Sequence, residues 1–155
     1  MVKIGGVEAG QIGFGAMGIA FAYGAPISED DAVSLLSSAY DSGYRHIDSS
    51  EIYCSTFPAP DSDTTVHSET LIGKWLSTVS RQSVTIATKC MPSARWGDKT
   101  DAVTVAKMVD ASLARLGTDY VDLYYLHRLP PQGLEEWMHS MKPLVASGKV
   151  NLTQT

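Results

Sequence analysis

Segments typical of β-strands and of α-helices alternate along the chain, and this alternation restricts the fold more than any other feature of the sequence. Four short apolar segments are predicted as strands, at residues 9–15, 44–48, 83–90 and 119–127. A segment with apolar residues at helical spacing follows each of them. Repeated strand–helix units predict right-handed crossovers and a parallel sheet. An open doubly wound sheet and a closed barrel both satisfy this pattern, and periodicity alone does not separate them.

The predicted helices are recognised by their periodicity and by their end signals. They cover residues 27–43, 67–80, 99–117 and 133–148. Three of them are expected to begin at a hydroxyl N-cap: Ser28, Ser68 and Thr100. Two are expected to end at a glycine: Gly43 and Gly117. Pro143 is expected to interrupt the fourth helix, because proline cannot donate the backbone hydrogen bond of a helix interior.

Length, charge and cysteine content restrict the class of protein. The 155 residues are enough for a single domain spanning 1–155 with one core. A net charge of −5 argues against nucleic acid or an anionic membrane as the main partner, and no apolar run approaches the roughly 20 residues that span a bilayer. Cys54 and Cys90 lack metal-ligand spacing and fit a reducing compartment. We therefore expect a cytoplasmic protein without a metal site.

Four ionisable residues fall at or just after the predicted strand ends. Asp48 closes the second strand and Tyr53 follows it, while Lys89 closes the third strand and His127 the fourth. The carboxyl ends of parallel strands meet at one rim, where α/β folds collect their chemistry. Each residue also has an ordinary alternative: a capping aspartate, a packed tyrosine, a solvated lysine or a structural histidine. The joint arrangement is harder to explain in this way than any single member.

These four residue types suggest a definite chemistry. Lys89 ends a buried strand, where an unpaired ammonium is costly, so Asp48 is its expected partner. An ammonium about 4 Å from a phenol oxygen favours the phenolate by about 4 kcal/mol at an effective dielectric constant near 20, which would make Tyr53 a workable proton donor. His127 could hydrogen-bond a substrate oxygen and orient it. Such a pair suits the addition of hydride to a carbonyl, with the hydride supplied by a cofactor.

Several motifs resemble those of the aldo-keto reductase superfamily. They are GYRHIDSS at 43–50, TIATK at 85–89 and LGTDYVDLYYLHR at 116–128, with shorter matches in GFGAMG at 13–18 and GKV at 148–150. The resemblance covers nearly the whole chain. It implies a (β/α)8 TIM barrel that reduces aldehydes and ketones with NADPH, of which this chain would form an incomplete barrel of about four β/α units.

The resemblance also implies roles for individual residues. The family's catalytic tetrad is matched by Asp48, Tyr53, Lys89 and His127, with Tyr53 as the proton donor tuned by Lys89 and Asp48. The implied cofactor-binding residues are Gly15, Ala16, Met17 and Asp48, and the implied substrate-binding residues are Trp96 and His127. A tryptophan packed on its own loop is the alternative for Trp96. The choice between NADPH and NADH and the identity of the carbonyl substrate are left open.

Two departures from the family pattern bear on function. A loop over 54–68 delays the ETLIG motif at 69–73, and it is expected to lie at the surface rather than to cover the site as a lid. The polar residues NLTQT at 151–155 do not match the family's fifth strand, in which a Ser-Asn pair holds the nicotinamide carboxamide.

Three hypotheses follow from the sequence. The first is an NADPH-dependent carbonyl reductase. The second is a truncated, non-catalytic half barrel that acts as an interaction or regulatory partner, with self-association through its open edges. The third is a doubly wound binding domain of another family, which the matching motifs leave as the least favoured.

Overall fold

The structure is a computed structural model, and it describes residues 3–4, 7–56, 64–131 and 133–154. Five parallel strands form its main sheet. They are β3 (Phe14–Gly15), β4 (His46–Asp48), β5 (Thr85–Cys90), β6 (Val121–Leu126) and β7 (Val150–Gln154). A separate antiparallel hairpin of β1 (Lys3–Ile4) and β2 (Val7–Glu8) precedes this sheet in the chain. The sequence reading did not predict the hairpin.

Helices connect the strands of this sheet. They are α1 (Glu29–Asp41), α2 (Ser68–Leu76), the short α3 (Pro92–Arg95), α4 (Ala102–Leu116) and α5 (Glu135–Ala146). The apolar faces of the long helices pack with the strands into one core, in which Trp75 of α2, Met108 of α4 and Trp137 of α5 are fully buried. Within the described part of the chain, no helix is long and apolar enough to cross a bilayer.

The order of the strands separates the two architectures that periodicity left open. The sheet order β3-β4-β5-β6-β7 is the order of the chain. A doubly wound sheet reverses its direction of growth at a switch point, whereas a β/α barrel adds each strand beside the previous one. The five strands therefore form the arc of a barrel.

Most predicted elements are present, but two caps were predicted at the wrong residue. Ser28 caps α1 as expected, since its Oγ accepts the Asp31 N–H at 3.1 Å. The cap predicted at Thr100 is wrong because the Asp101 carboxylate accepts the Val103 and Thr104 amides instead.

The second wrong cap lies at the start of α2. This helix begins at Ser68 itself, and the N-cap position is His67, which makes no capping hydrogen bond. At the other ends of the helices the glycine predictions hold, since Gly43 (φ 94°) and Gly117 (φ 62°) adopt the left-handed conformation just beyond α1 and α4.

Two further expectations need correction. The helix predicted to break near Pro143 runs through it, from Glu135 to Ala146. The polar tail forms a fifth strand, because Val150–Gln154 pairs in parallel with β6, with Val121 beside Val150 and Leu123 beside Leu152. The barrel arc thus contains five strands, one more than the four strand signals of the sequence.

The loop that interrupts the family pattern is described only at its two ends. Cys54 and His67 face each other in an isolated antiparallel bridge, and the Ser55 amide donates to the Val66 carbonyl at 3.0 Å. The choice between a surface loop and a lid falls on residues 57–63, which lie outside the described residues.

Candidate active site

The pairing of the strands brings the predicted catalytic residues to one end of the sheet. Asp48 is the last residue of β4 and lies beside Gly15 of β3 and Ala87 of β5. Lys89 is near the end of β5, beside Tyr125 of β6. Because neighbouring strands are parallel and in register, the residues that follow them in the chain meet at the same rim.

The lysine and the aspartate form the expected ion pair. Lys89 Nζ bonds to Asp48 Oδ1 and also donates to the backbone carbonyl of Ser49 at 2.7 Å. The side chains are 16% and 32% exposed, respectively. The ammonium is thus held by two acceptors at the rim, where it is shielded from most of the solvent.

The same ammonium faces the tyrosine of the loop after β4. Lys89 Nζ lies 5.1 Å from the centroid of the Tyr53 ring. The ring is 9% exposed and stacks on Phe21, with centroids 6.2 Å apart. A cation this close to an aromatic ring is attracted by its π face. The packing therefore fixes Tyr53 beside the positive charge.

The histidine completes the cluster from the end of β6. The His127 ring stands edge-on to Tyr53, with centroids 5.8 Å apart and an interplanar angle of 89°. Ser50 Oγ lies 3.0 Å from His127 Nδ1 and donates to the Lys89 carbonyl at 3.1 Å. Burial lowers the pKa of His127, and the nearby charges of Lys89 and Arg128 lower it further. Neutral imidazole is therefore the favoured form at pH 7.

The residues predicted to contact a cofactor differ in their accessibility. Gly15 and Met17 offer surface at the rim, whereas Ala16 is fully buried. The Ala16 amide donates to the Asp48 carbonyl at 2.8 Å, and its carbonyl accepts from Ser68 Oγ at 2.7 Å. Ala16 is therefore buried in this structure, and its backbone joins the loop after β3 to β4 and α2.

A family model described as the aldo/keto reductase family matches residues 11–154. The chain belongs to the aldo/keto reductase family. The five parallel strands are accordingly part of the (β/α)8 barrel on which these enzymes are built.

Individual members of the aldo/keto reductase family match most of the chain. A relative from Glycine max, a probable aldo-keto reductase 1, is 33% identical over 96% of this chain. A thermostable aldo-keto reductase solved with the inhibitor epalrestat superposes with a TM-score of 0.76 at 30% identity over 98% of this chain. One from Klebsiella pneumoniae solved with NADPH gives 0.74 at 26% identity over 99%.

The chain spans only part of the length of these relatives. It covers 42% of the Glycine max protein, 52% of the epalrestat complex and 49% of the NADPH complex. The described strands thus correspond to about half of a complete aldo/keto reductase barrel.

Trp96, the predicted substrate-binding residue, is held by a partner that sequence reasoning missed. Its indole Nε1 donates to Glu51 Oε2 at 3.1 Å, and the Met91 amide donates to Glu51 Oε1 at 2.6 Å. Glu51 is 1% exposed, and burial raises its pKa to about 7. The signal that could have pointed to Glu51 is its position between Asp48 and Tyr53, in the loop that follows β4.

A second group that the sequence did not reveal supports the site from α2. Ser68 Oγ accepts from Ser49 Oγ at 3.0 Å, and the Ser68 amide donates to the Tyr53 carbonyl at 2.8 Å. The next residue, Glu69, is fully buried and accepts from Arg115 Nε at 2.6 Å. The start of α2 therefore anchors the loop that carries the tyrosine.

Proposed function

We propose that this chain carries the catalytic half of an NADPH-dependent reductase of aldehydes or ketones. The observation that carries the proposal is the cluster at the rim. The Lys89 ammonium, paired with Asp48, lies 5.1 Å from the Tyr53 ring centroid, and His127 stands edge-on to the same ring. Membership of the aldo/keto reductase family and the NADPH complex of the Klebsiella pneumoniae relative support the choice of reaction and of cofactor.

The residues at the rim fit the nicotinamide end of such a cofactor. Gly15 lies beside Asp48 at the strand ends, and a Cβ at Gly15 would meet no atom within 4 Å. This leaves open space in front of a carboxylate that is still one-third exposed. Gly15, Met17 and Asp48 would hold the cofactor there, and NADPH when bound would supply the hydride that no side chain can provide.

In the proposed reaction, Tyr53 gives the proton and Lys89 makes that transfer favourable. The phenol donates its proton to the carbonyl oxygen as negative charge develops there. The phenolate that remains is stabilised by the nearby Lys89 ammonium, whose position is fixed by Asp48 and by the Ser49 carbonyl. The Ser50 hydroxyl turns from the Lys89 carbonyl to donate to His127 Nδ1, so that the imidazole carries its proton on Nε2 and donates it to the same substrate oxygen. Trp96 lines the substrate side of the rim. The thiols of Cys54 and Cys90 form no disulfide, which fits a cytoplasmic setting.

The test compares wild type with Tyr53→Phe, a substitution that removes only the hydroxyl. Carbonyl-dependent oxidation of NADPH should fall by about 10²–10⁴-fold. NADPH binding, followed through tryptophan fluorescence, should change little, since no cofactor contact is assigned to the hydroxyl. Undiminished turnover of the variant would overturn the assignment of Tyr53. If wild type binds no NADPH while remaining folded, the proposed activity fails for this chain.

A second candidate function is a non-catalytic partner that associates through its sheet edges. Within the described residues β3 pairs only with β4, and β7 pairs only with β6. Leu152 on β7 is 47% exposed, and an unpaired strand edge is a template for pairing with another chain. The partner that these unpaired edges favour is a second copy of the chain. Native mass spectrometry at two concentrations tests this, and a monomer at both would exclude it.

A further inference from the structure

Glu51 is a buried carboxylate to which the proposed reaction gives no role. It is 1% exposed, although it lies between Ser50, which contacts His127, and the loop of Tyr53. In the described structure its side chain makes no ion pair within 4 Å. Burying a carboxylate is expensive, so it is retained only where its acceptor oxygens serve a purpose.

Both oxygens of Glu51 face one short segment. The Met91 amide donates to Oε1 at 2.6 Å, and the Trp96 indole donates to Oε2 at 3.1 Å. These two donors lie on either side of α3, so the carboxylate closes the segment 91–96 on the loop after β4. The Glu51 amide also donates to the Lys89 carbonyl at 3.0 Å. The clamp is therefore tied to the strand that carries the catalytic lysine.

The surroundings of Glu51 set its charge. Burial has the largest effect and raises its pKa, and the Glu69 carboxylate acts in the same direction, so that the resulting pKa is about 7. The hydrogen bonds from Met91 and Trp96 and the charge of Arg115 act in the opposite direction. Among the described residues, Cys90 and Tyr124 also couple to Glu51, and burial raises the pKa of both, so they remain neutral. Glu51 thus changes its charge in the neutral range while these neighbours do not.

We propose that Glu51 is a positioning residue that holds the Trp96 side chain at the rim of the carbonyl site and releases the indole when it takes up a proton. That this rim is the side on which the substrate binds rests on the proposed function. The clamp itself depends only on the contacts of Glu51.

The donor count explains the release. The ionised carboxylate offers both oxygens as acceptors, which satisfies the Met91 and Trp96 donors together. The protonated form has an O–H group, which cannot accept in the same way, and so one of the two N–H groups loses its partner. The indole bond at 3.1 Å is longer than the amide bond at 2.6 Å. Trp96 is therefore the group that is freed.

The experiment follows the indole N–H signals of the ¹⁵N-labelled protein from pH 5.5 to 8.5. The three tryptophans are assigned with single Trp→Phe variants. We expect the Trp96 signal to move with a midpoint near pH 7, while those of Trp75 and Trp137, whose side chains are fully buried, stay in place. A Trp96 signal that does not move over this range would overturn the proposal without any variant of Glu51.

Glu51→Gln identifies the group that titrates. Histidines titrate in the same range, so a shift alone does not name its cause. In this variant the midpoint near pH 7 should disappear from the Trp96 signal. Persistence of the same transition in Glu51→Gln would assign it to another group and overturn the proposal.

Glu136→Gln is the matched control. It removes one negative charge from α5 and keeps an amide oxygen that can accept from the Thr100 hydroxyl. Among the described residues no hydrogen bond joins Glu136 to Trp96. The Trp96 transition should therefore keep its wild-type midpoint in this variant, and its loss there would overturn the role of Glu51.

These signals require neither cofactor nor turnover. The Trp96 transition without NADPH oxidation would leave the clamp standing and remove the proposed function. Turnover without the Trp96 transition would remove the clamp and leave the proposed function standing. Where both are present, the KM for the carbonyl should rise in Glu51→Gln while the change in kcat remains smaller.

Discussion

Lys89 connects the packing of the fold with the proposed chemistry through a single side chain. Its ammonium bonds to Asp48 and to the Ser49 carbonyl, and it faces the Tyr53 ring. The substitution Lys89→Met keeps most of the length of the side chain and removes the charge. We expect it to lower the free energy of unfolding by about 1–3 kcal/mol, because Asp48 loses its partner at a partly buried site. Turnover should fall at least as far as in Tyr53→Phe.

Lys149→Met is the matched control for this prediction. Lys149 also pairs with an aspartate, Asp110, at 2.6 Å, but the two side chains are 42% and 54% exposed. Exposed pairs contribute little, so the free energy of unfolding should change by less than about 1 kcal/mol. Chemical denaturation of both variants measures the contrast. Equal losses would show that the Lys89 pair has no special place in the fold.

Glu51 should make the stability of the protein depend on pH in an unusual direction. Its pKa is raised from 4.5 to about 7, so the folded state binds the proton more tightly than the unfolded state. Its contribution to stability is therefore present below pH 4.5 and is lost as the pH rises towards 7. The loss is about 3 kcal/mol, from 1.36 kcal/mol per pKa unit.

Glu51→Gln removes this titration. Denaturation from pH 4.5 to 8 should show the variant gaining stability relative to wild type as the pH rises. A constant difference between the two proteins across this range would argue that Glu51 does not titrate there.

At the scale of the elements, Gly73 determines how closely α2 approaches α4. A Cβ at this position would lie 2.5 Å from the Arg115 carbonyl oxygen and 3.0 Å from that of Leu116. Alanine normally stabilises a helix interior by about 1 kcal/mol relative to glycine. Here we expect Gly73→Ala to destabilise the protein by about 2 kcal/mol, because the backbone of α4 has to move away.

The neighbouring Lys74→Ala is the control for this packing effect. Lys74 is 54% exposed, and its pair with Glu29 at 3.4 Å is a surface contact. Its substitution should change the free energy of unfolding by no more than about 0.5 kcal/mol. Thermal and chemical denaturation compare the two, and a stabilised Gly73→Ala would refute the close approach.

The elements also show what the sequence could predict. Strands and helices were found because their patterns are local, and Gly117 was found because a left-handed residue ends α4. The caps at Ser68 and Thr100 were wrong because a hydroxyl can bond to distant groups as well as to its own helix. Ser68 Oγ donates to Ala16, and Thr100 Oγ1 donates to Glu136. The last strand was missed because its pairing with β6, not its polar sequence, makes it a strand.

In the site, too, some contacts could be predicted from the sequence and others could not. The meeting of Lys89 with Asp48 was expected, because residues at the ends of neighbouring parallel strands must converge. The contacts of Ser50 with His127 and of Glu51 with Trp96 join residues 77 and 45 positions apart. They depend on how two loops are folded, which no local pattern reports.

At the scale of the whole molecule, the pairing and burial of the strands predict that local stability differs from strand to strand. β5 and β6 are paired on both sides and are almost entirely buried, whereas β3 has two residues and pairs with one strand of the described chain. Amide hydrogen exchange should therefore be slowest in β5 and β6 and faster in β3 and β7. Mass spectrometry or NMR measures this order. Uniform protection across the five strands would mean that the arc opens only as one unit.

The order of the strands in the sheet has a consequence for synthesis. Since each strand lies beside the one made just before it, a chain leaving the ribosome meets a neighbour that has already emerged. No strand has to wait for a distant partner, and each crossover closes a short loop. The lysine, the aspartate, the tyrosine and the histidine all lie between positions 48 and 127. The cluster can therefore assemble as soon as β6 has emerged, without waiting for β7 to pair.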